Sequence, residues 1–124
     1  MVFLYSPFSD PPIVTIEKSS YSVNYGNTVT LTCTVTSTPL HTSVYWRKIQ
    51  GGQRVNVDMT SSKYSGSTVN TPSLTISNTD NNDETFYICY ASNIIGTGQS
   101  SQTYLDVLGS KWKLFIEKLN IFDC

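Results

Sequence analysis

Between Ile13 and Leu108, apolar and polar residues alternate in short runs separated by turn-forming residues. The clearest run is TVTLTCTVT, Thr28 to Thr36, in which Val29, Leu31, Cys33 and Val35 alternate with five threonines. Successive side chains of an extended chain point to opposite faces, so this run predicts a strand with one apolar face and one threonine face. A helix would scatter the same apolar positions around its axis, and the β-branched residues disfavour it. The same pattern predicts strands at IVTIE (13–17), YSVNYGN (21–27, closing in a turn at Gly26-Asn27) and SVYWRKI (43–49, stopped by Gly51-Gly52). Further strands are predicted at QRVNVD (53–58), KYSGS (63–67), PSLTIS (72–77), TFYICYAS (85–92) and SQTYLDVL (101–108). NTDNND (78–83) reads as a polar turn whose side chains bond their own backbone, and NIIGTG (93–98) as a loop. Many short strands with frequent turn signals predict an all-β sandwich or barrel.

Composition narrows this picture. The chain has 124 residues, enough for one domain. Charged residues make up 14% and the net charge is −1, too little field to draw in a phosphate backbone, so nucleic acid is not an expected partner. No apolar run reaches the roughly 20 residues that span a bilayer. The start, MVFLYSPFSD, lacks a basic region and has an apolar run only from Val2 to Tyr5, a poor secretory signal. The chain is therefore expected to be a piece of a longer exported protein. Pro11-Pro12 forms a stiff extended step just before the first strand, as a linker between domains or a ragged terminus would.

In order along the chain stand LTC with Cys33, then Trp46, then SLTI (73–76) with Leu74, then DETFYIC (83–89), which fits an Asp-x-x-x-Tyr-x-Cys pattern. With ASNIIGTG and YLDV after them, these motifs resemble the immunoglobulin superfamily over about three quarters of the chain, and most of all its intermediate, I-type set. The resemblance implies an antiparallel immunoglobulin-like β-sandwich over 13–108, with an extension at 1–12 and a tail at 109–124. It implies a disulfide between Cys33 and Cys89, about 55 positions apart, with Trp46 packed on it. It implies that Tyr87 bonds back to backbone near Asp83 and that Lys63 pairs with Asp83. Leu74, Tyr87, Asp83 and Lys63 are then parts of a scaffold. A disulfide favours an extracellular or cell-surface location. Muscle-type intracellular immunoglobulin domains share the pattern, and the chain has no Asn-x-Ser/Thr sequon, since Asn70-Thr71-Pro72 and Asn78-Thr79-Asp80 both fail.

Chemistry is poorly supplied. His41, the single histidine, lies in TPLHTS and is expected in a solvent-exposed loop rather than as a base beside a nucleophile. DNNDE (80–84) lacks the calcium-loop pattern, and Cys124 with His41 makes no metal site. No enzyme, cofactor, metal or small-molecule substrate is expected. Alternation instead predicts that Tyr45, Arg47, Phe86, Ile88, Tyr90 and Tyr104 face outward from strands that the resemblance makes neighbours in one sheet. Aromatics with an arginine are the residue types that anchor protein interfaces. Ile94 and Ile95, in the loop NIIGTG, form a second candidate. The expected role is a non-catalytic protein-binding module of an adhesion or recognition protein, immune-type ones included, with a homophilic or heterophilic partner. A structural spacer in a tandem array is the alternative. In the tail, Trp112, Phe115, Ile116 and Leu119 fall at helical spacing, compatible with a short amphipathic C-terminal helix that meets the domain, a partner or a membrane surface. Cys124 is either a free thiol or paired between molecules.

Overall fold

The threonine-rich run folds as two short strands, because its backbone is interrupted at Thr32. The Thr32 amide donates to the Tyr21 hydroxyl at 3.0 Å, and the Cys33 amide donates to the Ser73 hydroxyl at 3.0 Å. Two side chains thus take donors that a continuous ladder would use. The computed structural model describes residues 9–110. Its strands are β1 (Ile13–Ile16), β2 (Ser20–Asn24), β3 (Val29–Leu31), β4 (Cys33–Thr36), β5 (Ser43–Gln50), β6 (Gln53–Asn56), β7 (Tyr64–Gly66), β8 (Leu74–Ile76), β9 (Phe86–Ser92), β10 (Thr97–Gln99) and β11 (Thr103–Leu108). The C-terminal segment with the helical spacing, and Cys124, lie outside the described residues.

One layer is a six-stranded sheet in the order β2-β11-β9-β5-β6, with β10 also paired to β9. Its pairs are antiparallel except β2 with β11, which run parallel with Ser20 beside Tyr104. The other layer comprises β3-β8-β7 and the β1-β4 pair, which abut because only Thr32 separates β3 from β4. The inward residues of the two layers meet in one buried cluster that includes Leu31, Trp46, Leu74, Ile76, Tyr87 and Leu105. The architecture is an all-β sandwich.

Two local predictions change. The polar stretch at 78–83 is not only a turn: Asn81–Asp83 make one turn of 3-10 helix, started by a capping box in which Asp80 and Asp83 exchange side-chain-to-backbone hydrogen bonds. The loop at 93–98 is shorter than expected, since Thr97 already pairs with Ser92 at the start of β10. The strand direction then breaks between β10 and β11. There the Ser100 hydroxyl accepts the Cys89 amide at 3.0 Å, and the Ser100 amide donates to the Cys89 carbonyl at 2.9 Å. The residues Asp10 to Pro12 run against this hairpin. A Cβ at Gly98 would collide with the Pro12 carbonyl oxygen.

Candidate protein-interaction face

Strand β9 shows how one alternating segment serves two environments. On its inner side Cys89 forms the disulfide with Cys33, with the two Cα atoms 6.5 Å apart, and so ties the layers together. Trp46 lies opposite Cys89 in the β5–β9 ladder, and its indole N–H donates to the Pro72 carbonyl at 2.8 Å. Leu74 is fully buried. The Tyr87 hydroxyl donates to the Asp83 carbonyl at 2.7 Å, and burial, followed by the nearby Asp83 charge, pushes this phenol well above the usual tyrosine range. The Asp83 carboxylate lies 2.9 Å from the Lys63 ammonium and also accepts the Asp80 amide at 2.8 Å. Lys63 completes the corner by donating to the Asn78 carbonyl at 2.8 Å. The polar groups of this corner are satisfied within the domain.

The outer side of the same sheet is organised differently. Tyr45 and Tyr90, opposite one another on β5 and β9, stack with ring centres 4.9 Å apart and planes 2° from parallel. The Arg47 guanidinium lies 5.5 Å from the Tyr45 ring centre and 5.1 Å from that of Tyr90, within cation–π range. Its Nε donates to Asn56 Oδ1 at 3.0 Å, and Arg54 Nη1 donates to the Tyr90 hydroxyl at 3.0 Å. Towards the other edge, Phe86 and Tyr104 meet edge to face at 4.9 Å. The Tyr104 hydroxyl donates to Glu84 Oε2 at 3.1 Å, and the Val107 amide donates to Glu84 Oε1 at 2.9 Å. That backbone bond, the largest influence, holds the Glu84 carboxyl below its ordinary range. Asp106 beside it is pushed up, first by desolvation and then by its hydrogen bond to Glu84. Tyr104 is raised for the same two reasons.

Two residues expected on the open face are not accessible. Ile88 is 1% exposed and Tyr90 4%. Both sit on the outward side and outside the buried cluster between the layers, as alternation requires. However, β9 is flanked by β5 on one side and by β10 and β11 on the other, and Tyr45, Arg47 and Arg54 close over Tyr90. Ile88 lies opposite Arg47 in the middle of the sheet. Phe86 is exposed, while Tyr45, Arg47 and Tyr104 are half-buried. Sequence reasoning missed Arg54, Asn56 and Glu84 as parts of this face. The alternation of QRVN was a usable signal for Arg54 and Asn56. Nothing local indicated that Glu84, ahead of β9, reaches the β11 amide.

Other features carry less chemistry. His41 is half-buried rather than solvent-exposed, because its Nε2 lies 3.1 Å from the Val69 carbonyl oxygen. Among the described residues, no group of three or more His, Cys, Asp or Glu side chains is placed to hold a metal ion. A groove of about 300 Å³ at the foot of the sheet is lined by Lys48, Ile49, Gln50, Asn82 and Thr85. Ile94 is 83% exposed at the hairpin tip, and Leu40 78% exposed in the loop beside it. Among the described residues, no helix is long and apolar enough to cross a membrane.

A family model for the immunoglobulin domain matches residues 11–93, more than half of the chain. The solved tandem Ig repeats of Dlar are 28% identical with a TM-score of 0.62, and the match covers 80% of this chain and 50% of that one. The N-terminal Ig1-2 module of the Drosophila receptor protein tyrosine phosphatase DLAR is 28% identical with a TM-score of 0.65, covering 84% of this chain and 50% of that one. The chain thus spans half the length of each of these structures. No curated protein matches the sequence.

Proposed function

The chain belongs to the immunoglobulin domain family, and on that premise we infer that it is a non-catalytic protein-binding module of an adhesion or recognition protein. The observation that carries this reading is the outer side of the six-stranded sheet. There Tyr45, Arg47, Arg54, Phe86 and Tyr104 form an aromatic surface overlaid with guanidinium groups. Rigid aromatics and arginines contribute most of the binding energy at protein interfaces. The similar solved structures are Ig repeats, one module of them from a receptor protein tyrosine phosphatase. Together with the disulfide, they support a cell-surface or secreted setting. The short β6 edge, followed directly by β7, supports the intermediate-type subset.

A second reading, a spacer in a tandem array, is favoured by the tandem units to which the chain is similar. It is also favoured by the fixed entry of residues 10–12 beside exposed Leu40 and Ile94.

Full-length chain multimerised on fluorescent beads tests the two against each other. On cells that bind the wild-type beads, Tyr45→Ser and Arg47→Ser should lower binding at least tenfold, while Thr34→Lys on the opposite layer leaves it unchanged. Equal binding by folded face variants would remove the outer face from the account and leave the spacer.

A further inference from the structure

The outer face is divided by charge. Arg47 and Arg54 lie on β5 and β6, and Glu84 and Asp106 lie at the β11 side. Among the described residues the only ion pairs link Lys63 to Asp80 and Asp83, so neither arginine meets a carboxylate. Asp58, just beyond β6, is taken by the Thr60 amide and hydroxyl instead. The lysines of the described residues sit elsewhere: Lys18 over Tyr21, Lys48 against Tyr64, and Lys63 in the corner.

Both arginines converge on one ring. The Arg47 guanidinium lies 5.1 Å from the Tyr90 ring centre, and Arg54 Nη1 donates to the Tyr90 hydroxyl at 3.0 Å. A guanidinium has five N–H donors, and the protein occupies one on Arg47 and one on Arg54. Which donor is occupied matters. Arg47 uses Nε, which leaves its Nη1–Nη2 edge intact. Arg54 uses Nη1, which leaves its Nε–Nη2 edge intact. Each intact edge presents two parallel N–H groups, the geometry that takes both oxygens of a carboxylate. The bonds to Asn56 and Tyr90 already restrain the two side chains, so less rotamer freedom is left to lose on binding.

Desolvation defines the chemistry of an occupant. A partner that seals this part of the sheet strips water from both guanidinium groups. An apolar or basic surface would leave that charge uncompensated, whereas carboxylates on the two free edges would offset the loss. The other half of the face limits the extent of the anion. Glu84 and Asp106 stand two to three strands away, roughly 10–15 Å at about 4.8 Å per strand. An extended polyanion such as a sulfated glycan, laid across the sheet, would find two cations and then run into these acids. A protein segment can confine its charge to the arginine end. In an extended segment, residues two apart point the same way at a spacing of about 6.8 Å, which suits two guanidinium groups gathered at one ring.

Resting on the reading of this face as the interaction surface, we propose that its β5–β6 half receives an acidic segment of a protein partner, with one carboxylate on the free edge of Arg47 and a second on that of Arg54.

The full chain is titrated with a blocked pentapeptide, acetyl-Thr-Glu-Tyr-Glu-Thr-amide, and with its twin carrying Gln for both Glu, while NMR follows the arginine Nε–H signals. Two exposed ion pairs are weak on their own, so a Kd of about 1–10 mM is expected. The Glu peptide should shift the Arg47 and Arg54 signals saturably. The Gln twin should bind about fivefold more weakly or worse, and Arg54→Gln should weaken the Glu peptide by a similar factor. Equal binding of the two peptides, or no shift at either arginine by about 30 mM, overturns the proposal. A heparin hexasaccharide that saturates the same signals at lower concentration than the Glu peptide also overturns it, in favour of a sulfated glycan. The bead assay separates such a failure from that of the face itself. If Tyr45→Ser and Arg47→Ser beads still lose cell binding, the face stands with a partner of other chemistry. If they bind as wild type does, both readings fall.

Discussion

Strands β5 and β9 each present alternate residues to the interior and to the outside, and the two sides use their polar atoms in opposite ways. On the inner side, Tyr87, Asp83, Lys63 and Trp46 close their hydrogen bonds on nearby backbone or on one another. On the outer side, Tyr45, Tyr90, Arg47 and Arg54 stack and bond locally, but the guanidinium groups keep donors to spare. The inner arrangement holds the two layers together, and the outer one leaves donors for the interaction we propose. Removing an inner residue should cost stability. Removing an outer residue should cost association and little else.

The disulfide provides the largest test. Replacing Cys33 and Cys89 with Ala should lower unfolding stability by about 4 kcal/mol in urea titrations, because the closed loop no longer restricts the unfolded chain. Next comes Lys63→Met, which leaves the buried Asp83 carboxylate without its cation. The Lys63 side chain is 23% exposed, so a loss of about 2 kcal/mol, less than for a fully buried pair, is expected by the same titration. Tyr87→Phe removes one buried hydrogen bond and should cost about 1–2 kcal/mol.

A smaller, pH-dependent effect separates the acidic end of the outer face from the corner. Glu84 is held below its ordinary value of 4.5 in the folded state. Its contribution to stability is therefore fully present above that value and fades as pH falls through the lower, folded one. Asp106 has the opposite sign: its folded value is raised, so acidification relieves a penalty before the Glu84 contribution is lost. Melting temperatures of wild type minus Glu84→Gln, followed from pH 6 to pH 3, should fall at the acid end; a flat difference would mean that Glu84 has no folded-state preference. The smallest expected stability change belongs to Tyr45→Ser and Arg47→Ser, each within about 1 kcal/mol of wild type by calorimetry. A cost as large as that of Lys63→Met would erase the distinction between the two sides.

Alternation made the sides legible. Val44, Trp46, Leu105 and Val107 point inward as the period of two requires, and Tyr45, Phe86 and Tyr104 outward. Accessibility was not legible, because the burial of Tyr90 depends on Arg54 and Tyr45, which come from other strands through the register. The break at Thr32 likewise depends on Tyr21, eleven residues away in sequence and in the opposite layer. The place of Glu84 in this face was hidden for the same reason, since only its approach to the Val107 amide brings it beside Asp106.

At one end of the sandwich, a single carboxamide joins three separate stretches of chain. Asn93 Nδ2 lies within 2.7–3.1 Å of oxygens from Asp10, Ser37 and Pro39, and its Oδ1 accepts the amides of Ile95 and Gly96. The bare methyls of Ile94 are therefore mounted on a braced tip rather than a whip. Any surface that receives them would find their backbone orientation set beforehand, and the ordering penalty that a slack loop levies on contact would be largely absent.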